Sequence, residues 1–452
     1  MTDRTLPGLC PVFGCGTKWL MKTLTIICRF VLALCPVLGI SQAQVEPRPI
    51  STVVKAGRLL DVGTGTYIEN ATIWIEGDHI KEVGRLRDIQ LHAPRDAKLV
   101  DFSRFTVLPG LIDCHTHIMA RIPEGRDGYT LNLATKSQAF RALEGAYDAR
   151  ITLEAGFTTV RDVENEGSGY ADVALRDAIN QGLAEGPRMQ VATRAIAAVG
   201  EYNPFGVSAD LTEFPTGAQM VSGVEEARLA AREQIGHGAD LIKVYADWDH
   251  PTLTVDEMRV VVEEAHKQGR KVAAHAYTPE GIRNALTAGV DSIEHGNNAD
   301  RATLQLMKEK NAYWVLTKGH FRDRLKTTTD PRIRKYCEET LQRARENLAI
   351  ARELGVKIAN GFDPASAEMH GKNADEIVTA VELGLPPLEA IRAATVNAAD
   401  LMGWQDRVGS IEPGKFADLI AVDGDPLVDI NVLQNVKLVI KGGVVVKDAI
   451  SH

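Results

Sequence analysis

Short apolar runs alternate with longer amphipathic stretches through the middle of the chain. The apolar runs have the length of buried strands and lie at Thr158–Val163, Met189–Thr193, Leu241–Tyr245, Val272–Ala276, Ser292–His295, Tyr313–Thr317 and Val356–Gly361. Helical patterns lie between them, for example at Thr254–Gln268, Pro279–Ala288 and Ile333–Leu354. A further apolar strand at Phe105–Ile112 precedes His115 and completes eight strand–helix units. The pattern predicts an α/β fold with a (β/α)8 TIM barrel.

Both ends of the chain are rich in strand patterns. The clearest are Val53–Ala56 and Ala71–Ile75 at one end, and Ala417–Val422 and Val436–Lys447 at the other. Two β-rich ends that flank the barrel predict a small β-sandwich built from both termini. We therefore expect four regions: a leader and signal peptide at 1–43, the two sandwich parts at 44–104 and 404–452, and the barrel at 105–403.

The first residues have the order of an export signal. A charged residue, an apolar stretch and a small-residue cleavage site follow one another at Lys22, Leu24–Ile40 and Ser41-Gln42-Ala43. Arg29 and Pro36 interrupt the apolar stretch, which favours a cleaved signal peptide over a membrane anchor. We expect an exported protein, periplasmic or secreted, with no stable membrane span in the mature chain.

Charge and cysteine content narrow the classes of partner. The chain has 452 residues and a formal net charge of -9. An acidic balance argues against nucleic acid or an anionic membrane surface as the main partner and leaves a small-molecule substrate open. The sequence leaves a homo-oligomer open. Outside the leader only Cys114 and Cys337 remain, too few for a disulfide framework.

Metal-binding side chains stand at the ends of the predicted strands. His115 and His117 are two residues apart, so their imidazoles share one face of a strand. The other candidates stand at or near the carboxyl ends of later strands: Lys243, His275, His295 and Asp363. Taken singly, each fits a core, turn or ion-pair role. Together, the six side chains would lie on the face of the barrel where barrel enzymes carry out their chemistry. This combination predicts a metal site.

Several motifs together resemble the amidohydrolase superfamily. They are Pro109-Gly-Leu-Ile-Asp-Cys-His-Thr-His117, Ile242-Lys243-Val-Tyr245, Ala274-His275-Ala, Glu294-His295-Gly and Gly361-Phe-Asp363. Within the superfamily the chain is similar to prolidase-like and carnosinase-like dipeptidases of the Xaa-Pro type. The resemblance implies an exported binuclear metal-dependent amidohydrolase. Its reaction would be the cleavage of an amide bond in dipeptides or N-acyl amino acids by a metal-bound hydroxide.

The resemblance also implies a role for each ligand. Lys243 would carry a carbamate formed with carbon dioxide, and this carbamate would bridge two divalent ions, with zinc as the expected metal. The second ion would be held by His275 and His295, and the first by His115, His117 and Asp363. Asp363 would also be the catalytic group that takes the proton of the attacking hydroxide and passes it to the leaving amine.

Five further residues are candidates for substrate contact. Tyr245 shares a strand face with Lys243, and a role in the barrel core is its equal alternative. Tyr202 stands where many dipeptidase relatives have a histidine, which puts their substrate preference in doubt for this chain. His320 and His370 fall in loops after the seventh and eighth strands, at the expected barrel mouth. Arg161 fits either a substrate carboxylate or a neighbouring protein acid, and the structural role is favoured.

Two other classes of function compete with the dipeptidase. A lactonase or another non-peptide amide hydrolase, such as an imidazolonepropionase-like enzyme, would use the same barrel. Mononuclear deaminases of this kind lack the lysine on the fourth strand, so Lys243 speaks against them, whereas lactonases share the binuclear site. A non-catalytic scaffold would be expected to have lost ligands, and this chain keeps all six.

Overall fold

Parallel strands form the middle of the fold, and both chain ends enter a separate mixed sheet. A computed structural model describes residues 50–123, 125, 127–202, 208, 210 and 214–449. The signal peptide expected at residues 1–43 lies outside this part of the chain. None of the helices within it combines the length and the hydropathy that a membrane span requires.

The strands and helices of the described residues are as follows. The strands are β1 Ser51–Asp61, β2 Thr66–Glu69, β3 Ala71–Glu76, β4 His79–Arg85, β5 Lys98–Pro109, β6 Leu111–Thr116, β7 Phe157–Asp162, β8 Arg188–Val191, β9 Ala195–Ala198, β10 Ala218–Val221, β11 Leu241–Tyr245, β12 Lys271–Ala276, β13 Ser292–His295, β14 Tyr313–Val315, β15 Lys357–Ala359, β16 Leu419–Val422, β17 Leu438–Lys441 and β18 Val444–Asp448. The helices are α1 Leu86–His92, α2 Gly128–Thr135, α3 Gln138–Glu154, α4 Ala171–Asn180, α5 Val224–Gly236, α6 Val255–His266, α7 Pro279–Ala288, α8 Arg301–Glu309, α9 Gly319–Thr327, α10 Pro331–Leu354, α11 Ala374–Glu382, α12 Pro387–Ala393 and α13 Val396–Leu401.

Both ends of the chain contribute to one eight-stranded sheet. Its order is β18-β17-β16-β5-β1-β3-β4, with β2 paired to β1. The chain ends meet where β16 runs antiparallel to β5, with Ile420 opposite Leu108. Apolar side chains such as Val54, Ile73 and Leu419 form its buried core. The sequence correctly brought the two ends together, and the second layer that a sandwich requires stays a prediction.

Two parallel sheets contain the strands that were expected to form the barrel. One has the order β6-β7-β8 and the other β10-β9-β11-β12-β13-β14-β15. Backbone hydrogen bonds connect them, for example from Asp240 N to Val191 O at 2.8 Å and from Cys114 N to Asn360 O at 2.8 Å. The parallel α/β arrangement is confirmed, and continuous closure of the barrel stays a prediction. The sequence did not predict β9 and β10.

Local signals in the sequence fix the ends of the helices between these strands. Thr254 and Glu257 form a reciprocal capping box at the start of α6. Thr278 caps α7, which has Pro279 in its first turn and ends at Gly289 with a φ of 100°. These signals fix the first residues of α6 and α7 and the end of α7.

Two apolar stretches that were expected to be single strands are each divided. Phe105–Pro109 is the end of β5 in the terminal sheet, and β6 begins only at Leu111. Gly110 stands at the division, where an added Cβ would lie 2.1 Å from Thr158 Oγ1. Val436–Lys447 contains a hairpin instead of one strand, because Gly442 and Gly443 turn the chain with positive φ.

Candidate metal centre

Three predicted ligands converge at the carboxyl ends of β6 and β15. The Nε2 atoms of His115 and His117 are 3.2 Å apart. Asp363 Oδ1 lies 3.7 Å from the first and 3.3 Å from the second. One ligand atom from each residue lies within 4.8 Å of the others. Two imidazoles and one carboxylate at this separation suit a single divalent ion.

The backbone bends sharply at two of the predicted ligands. Asp363 has a φ of 60° and His295 a φ of 68°, in the left-handed region that non-glycine residues seldom adopt. The amide of Asp363 donates to His115 O at 2.8 Å, which ties the loop after β15 to β6. Strained backbone of this kind collects at functional sites. The conformation turns the Asp363 carboxylate toward the two histidines.

His275 and His295 extend the same cluster. Their ring centroids are 4.6 Å apart, and the His295 ring lies 4.9 Å from that of His115. His295 Nδ1 is 3.9 Å from Asp363 Oδ2. The buried Nε2 of His275 has no hydrogen-bond partner among the described residues. A buried polar atom without a partner is costly, and a metal ion would satisfy it.

Lys243 is buried beside these histidines, and no acidic side chain among the described residues forms an ion pair with it. Its side chain is 1% exposed, and its Nζ lies 5.5 Å from the centre of the Tyr245 ring. Within the described part of the chain it forms neither a hydrogen bond nor an ion pair. Burial lowers the pKa of its amine. A lowered pKa favours the neutral amine, which is the form that reacts with carbon dioxide to give a carbamate.

The protonation of the histidines agrees with a metal-binding role. Burial and the neighbouring Lys243 lower the pKa of His115 to about 4, and burial lowers the pKa of His275 and His295 well below the usual value. Neutral imidazoles keep a lone pair for a metal. Burial opposes the charge on His117, but the carboxylates of Glu166 and Asp363 raise its pKa to about 10. The same negative field would stabilise a metal cation.

A buried ion-pair network holds the His115 imidazole through its Nδ1, on the side of the ring opposite the atom that faces His117. His115 Nδ1 donates to Glu294 Oε2 at 2.7 Å. Arg161 donates to Glu294 Oε1 at 2.8 Å and to Cys114 O at 2.6 Å. Burial opposes ionisation of Glu294, but Arg161 and His115 lower its pKa to about 2. The Arg161 guanidinium is thus engaged with protein acceptors, which favours its structural role over a substrate contact.

Two acidic residues beside the site were missed by the sequence reasoning. Glu164 and Glu166 follow β7 directly, and both are buried. Glu166 Oε1 lies 3.0 Å from His117 Nδ1. Burial and the neighbouring Glu166 raise the pKa of Glu164 to about 7. Their place after a predicted barrel strand, at the same face as the other ligands, is the signal that would have found them.

Glu164 engages the two tyrosines that were expected to contact substrate. Tyr245 donates its hydroxyl to Glu164 Oε2 at 2.5 Å, and Tyr202 donates to Oε1. Tyr202 and Tyr245 are 7% and 6% exposed. The Tyr245 ring lies 4.9 Å from the His275 ring, so the structure does place it in the cluster. In this arrangement the hydroxyl protons are committed to Glu164.

The two histidines that were expected at the mouth lie in different surroundings. His370 is fully buried, donates from Nε2 to Ala120 O at 2.7 Å and lies 3.7 Å from Asp148 Oδ2, and its contact with substrate stays a prediction. His320 lies in the first turn of α9 and lines a cavity of about 640 Å³ next to Tyr277. Burial lowers the pKa of His320 to about 4.

The fold and this site define the class of protein. Residues 106–446 match the Amidohydrolase family, and the chain belongs to that family. It is therefore a hydrolase, as its motifs indicated.

Several individual proteins of known name are similar to this chain. The chain is similar to ochratoxinase from Aspergillus niger, with 34% identity over 432 residues that cover 87% of this chain and 86% of that protein. A solved Xaa-Pro dipeptidase with bound methionine in the active site shares 34% identity at a TM-score of 0.77, over 87% of this chain and 99% of that one. Imidazolonepropionase from Geobacillus kaustophilus shares 25% identity over 439 residues, covering 86% and 92%.

Proposed function

We propose that this protein is a binuclear metal-dependent amidohydrolase that cleaves an amide bond in dipeptides or N-acyl amino acids. The observation that carries the proposal is the convergence of His115, His117 and Asp363 within 4.8 Å, with the other predicted ligands around them. The similarity to an Xaa-Pro dipeptidase and to an ochratoxinase supports amide bonds as the target.

Two groups of residues would hold the ions. The first ion would bind His115, His117 and Asp363, and the second would bind His275 and His295. A carbamate on Lys243 would bridge them, because it would turn an unpaired buried amine into an anionic ligand with two oxygens. Divalent ions in such a site lower the pKa of water and polarise a carbonyl oxygen. Zinc suits a donor set dominated by imidazole.

Asp363 has the position and charge of the proton carrier. Burial opposes its ionisation, but His115 and His117 lower its pKa well below the usual value, so it is a carboxylate at neutral pH. Its side chain is 20% exposed, whereas the neighbouring histidines are almost fully buried. It can accept a proton from an attacking water and donate it to the amide nitrogen as the bond breaks.

Release of amine from a panel of dipeptides and N-acyl amino acids tests this function. The zinc-loaded protein, prepared with bicarbonate, is expected to release free amino acids, and a chelated sample is expected to be inactive. If a protein that retains its metal releases no amine from any compound in the panel, the proposed substrate class is refuted.

The alternative is a lactone or a cyclic amide as substrate, and the similarity to imidazolonepropionase favours it. The buried Lys243 favours the binuclear site instead. Lactones and imidazolone propionate belong in the same panel, and metal-dependent turnover of these alone would establish the alternative.

Export is a separate proposal that rests on the predicted cleavage site Ser41-Gln42-Ala43. Expression of the full chain and sequencing of the amino terminus of the exported product would test it. We expect a mature chain that starts near Gln44. A product found only inside the cytoplasm with its leader intact would contradict export.

A further inference from the structure

A large cavity opens beside the metal centre, between the end of β12 and the helices α9 and α10. Its volume of about 640 Å³ is in the range of sites that hold small organic molecules. The residues that matter for its chemistry are Tyr277, His320, Phe321, Arg324, Ile333 and Tyr336.

The cavity adjoins the predicted ligands directly. The Tyr277 ring lies 4.3 Å from the ring of His275 and 5.2 Å from that of His295. His295 connects this wall to Asp363, because its Nδ1 lies 3.9 Å from Asp363 Oδ2. In the proposed reaction Asp363 would give the leaving amine its proton, so the leaving group would lie toward this cavity.

One cationic side chain of the cavity wall is unpaired. Within the described residues, the guanidinium of Arg324 forms no hydrogen bond or ion pair. Arg332 also lines the cavity, but it pairs with Asp330 at 3.1 Å and is 92% exposed. His320 adds no charge at neutral pH, since burial lowers its pKa to about 4. Arg324 is thus the group available to a carboxylate of the substrate.

The rest of the wall is apolar and aromatic. Phe321 and Tyr336 meet edge to face with their ring centroids 5.9 Å apart, and Ile333 lies in the same wall. Tyr336 remains 50% exposed, although it is a large hydrophobic residue. A bulky apolar side chain of a ligand would cover this surface, and aromatic rings favour such contacts.

We propose that this cavity holds the leaving amino acid of the substrate, with its α-carboxylate on Arg324 and a large apolar or aromatic side chain against Phe321 and Tyr336. The proposal rests on the proposed amide hydrolysis for the bond that is cleaved. In that reaction water adds across the amide, the C–N bond breaks, and the amino acid leaves with a free amine and a free carboxylate. Arg324 is a substrate-binding residue that does not touch the reacting atoms.

The test compares Arg324→Met with Lys326→Met on two matched substrates. Lys326 is on the same helix, pairs with Asp323 and lies outside the cavity, so its variant removes one positive charge without changing the wall. The substrates are N-acetyl-L-phenylalanine and its C-terminal amide, which lacks the carboxylate. Arg324→Met is expected to raise KM for the acid by roughly tenfold or more, with little change for the amide. Lys326→Met is expected to match the wild type on both.

Equal effects of Arg324→Met on acid and amide, or no effect on either, would overturn the role of Arg324. N-acetylglycine extends the test to the side chain: turnover as efficient as that of N-acetyl-L-phenylalanine would overturn the apolar preference.

A binding measurement separates this proposal from the proposed reaction. 3-Phenylpropionate carries the ring and the carboxylate but has no amide to cleave. Calorimetric titration should show that the metal-loaded wild type binds it, that Arg324→Met binds it at least about tenfold more weakly, and that 3-phenylpropanamide binds weakly to both. Such a result in a protein that cleaves no amide would support the cavity and refute the reaction. A wild type that binds the acid no better than the amide would refute the cavity.

Discussion

Asp363 differs from the other predicted ligands in its access to solvent. Its side chain is 20% exposed, while that of His115 is 1% exposed. Its carboxylate lies 3.3 Å from His117 Nε2 and 3.9 Å from His295 Nδ1. In the proposed reaction this partly exposed position would let Asp363 exchange a proton with the substrate.

The variant Asp363→Asn tests the proposed proton transfer, because it replaces one carboxylate oxygen by an amide nitrogen. The amide keeps the shape and one oxygen for the metal, but it cannot accept a proton. We expect most of the metal to be retained and kcat to fall by about 100-fold or more. Metal analysis and steady-state kinetics of the same sample measure the two effects. Asp177→Asn, at a half-exposed site, is the control, and an Asp363→Asn enzyme of wild-type activity would disprove the proton transfer.

Glu294 and Arg161 are connected to the candidate metal centre through His115. The Glu294 carboxylate bonds both the imidazole and the guanidinium, and all three side chains are at most 1% exposed. Carboxylates that hold a ligating histidine in place commonly change metal affinity or activity by 10- to 100-fold when they are replaced, about the effect expected here.

Glu294→Gln should therefore weaken metal binding by roughly tenfold or more. Glutamine preserves the shape but leaves Arg161 without its counter-charge. Competition with a fluorescent chelator measures the affinity, and the exposed Glu412→Gln serves as the control. Unchanged affinity in a folded Glu294→Gln protein would show that the network supports the fold alone.

The sequence predicted that the candidate ligands lie together, but it did not predict their surroundings. His115, His117, His275, His295 and Asp363 stand at strand ends, where a two-residue period and parallel strands bring them to one face. The contacts of Glu164 with Tyr202 and Tyr245 join three separate elements, so no local pattern contains them. His370 is buried in a loop, and a loop position alone does not predict that burial.

At the scale of elements, Gly110 separates the terminal sheet from the parallel strands. It follows the last residue of β5 and precedes the first of β6. An added Cβ would lie 2.1 Å from Thr158 Oγ1 and 2.6 Å from Thr158 Cγ2, next to β7. The close approach of β6 and β7, which positions His115, therefore depends on a residue without a side chain.

Gly110→Ala should destabilise the fold by about 1–3 kcal/mol, because the new methyl group overpacks a buried contact. Chemical denaturation measures the change in the free energy of unfolding. Gly84→Ala is the matched control: Gly84 lies in β4, and an added Cβ would meet nothing within 4 Å. Equal stability of the two variants would show that Thr158 can move aside at no cost.

The elements themselves were largely predictable. The strands at Leu241–Tyr245 and Ser292–His295 and the helix at Pro279–Ala288 have the bounds that their patterns indicated. The errors lie where glycine divides an apolar run, at Gly110 and at Gly442. Apolar periodicity reports burial, and burial continues through both divisions, so the pattern alone cannot show that the chain changes sheet or direction there.

At the scale of the whole molecule, the predicted ligands join two sheets. His115 and His117 belong to the sheet of β6, while His275, His295 and Lys243 come from the sheet of β11, β12 and β13. Ions held by both sets would cross-link the sheets in the folded state only, and any ligand of the folded state adds to its stability.

Removal of metal should therefore lower the Tm of the protein. With metal at about 1,000 times its Kd, binding adds about 4 kcal/mol, so chelation is expected to lower Tm by several degrees or more. Differential scanning calorimetry with and without chelator measures the shift. A variant with alanine at His115, His117 and Asp363 keeps only the proposed second site and should show a smaller shift. A wild-type Tm that does not respond to chelation would argue against a shared metal centre.

Metal content measured together with activity tests the central claim most directly. The mature protein, purified in zinc and bicarbonate, would be analysed by mass spectrometry for bound metal and assayed for amine release from dipeptides and N-acyl amino acids. The account predicts about two divalent ions per chain and release that a chelator abolishes. A folded protein that binds no metal under these conditions, or that binds two ions and releases no amine from any of these substrates, would contradict it.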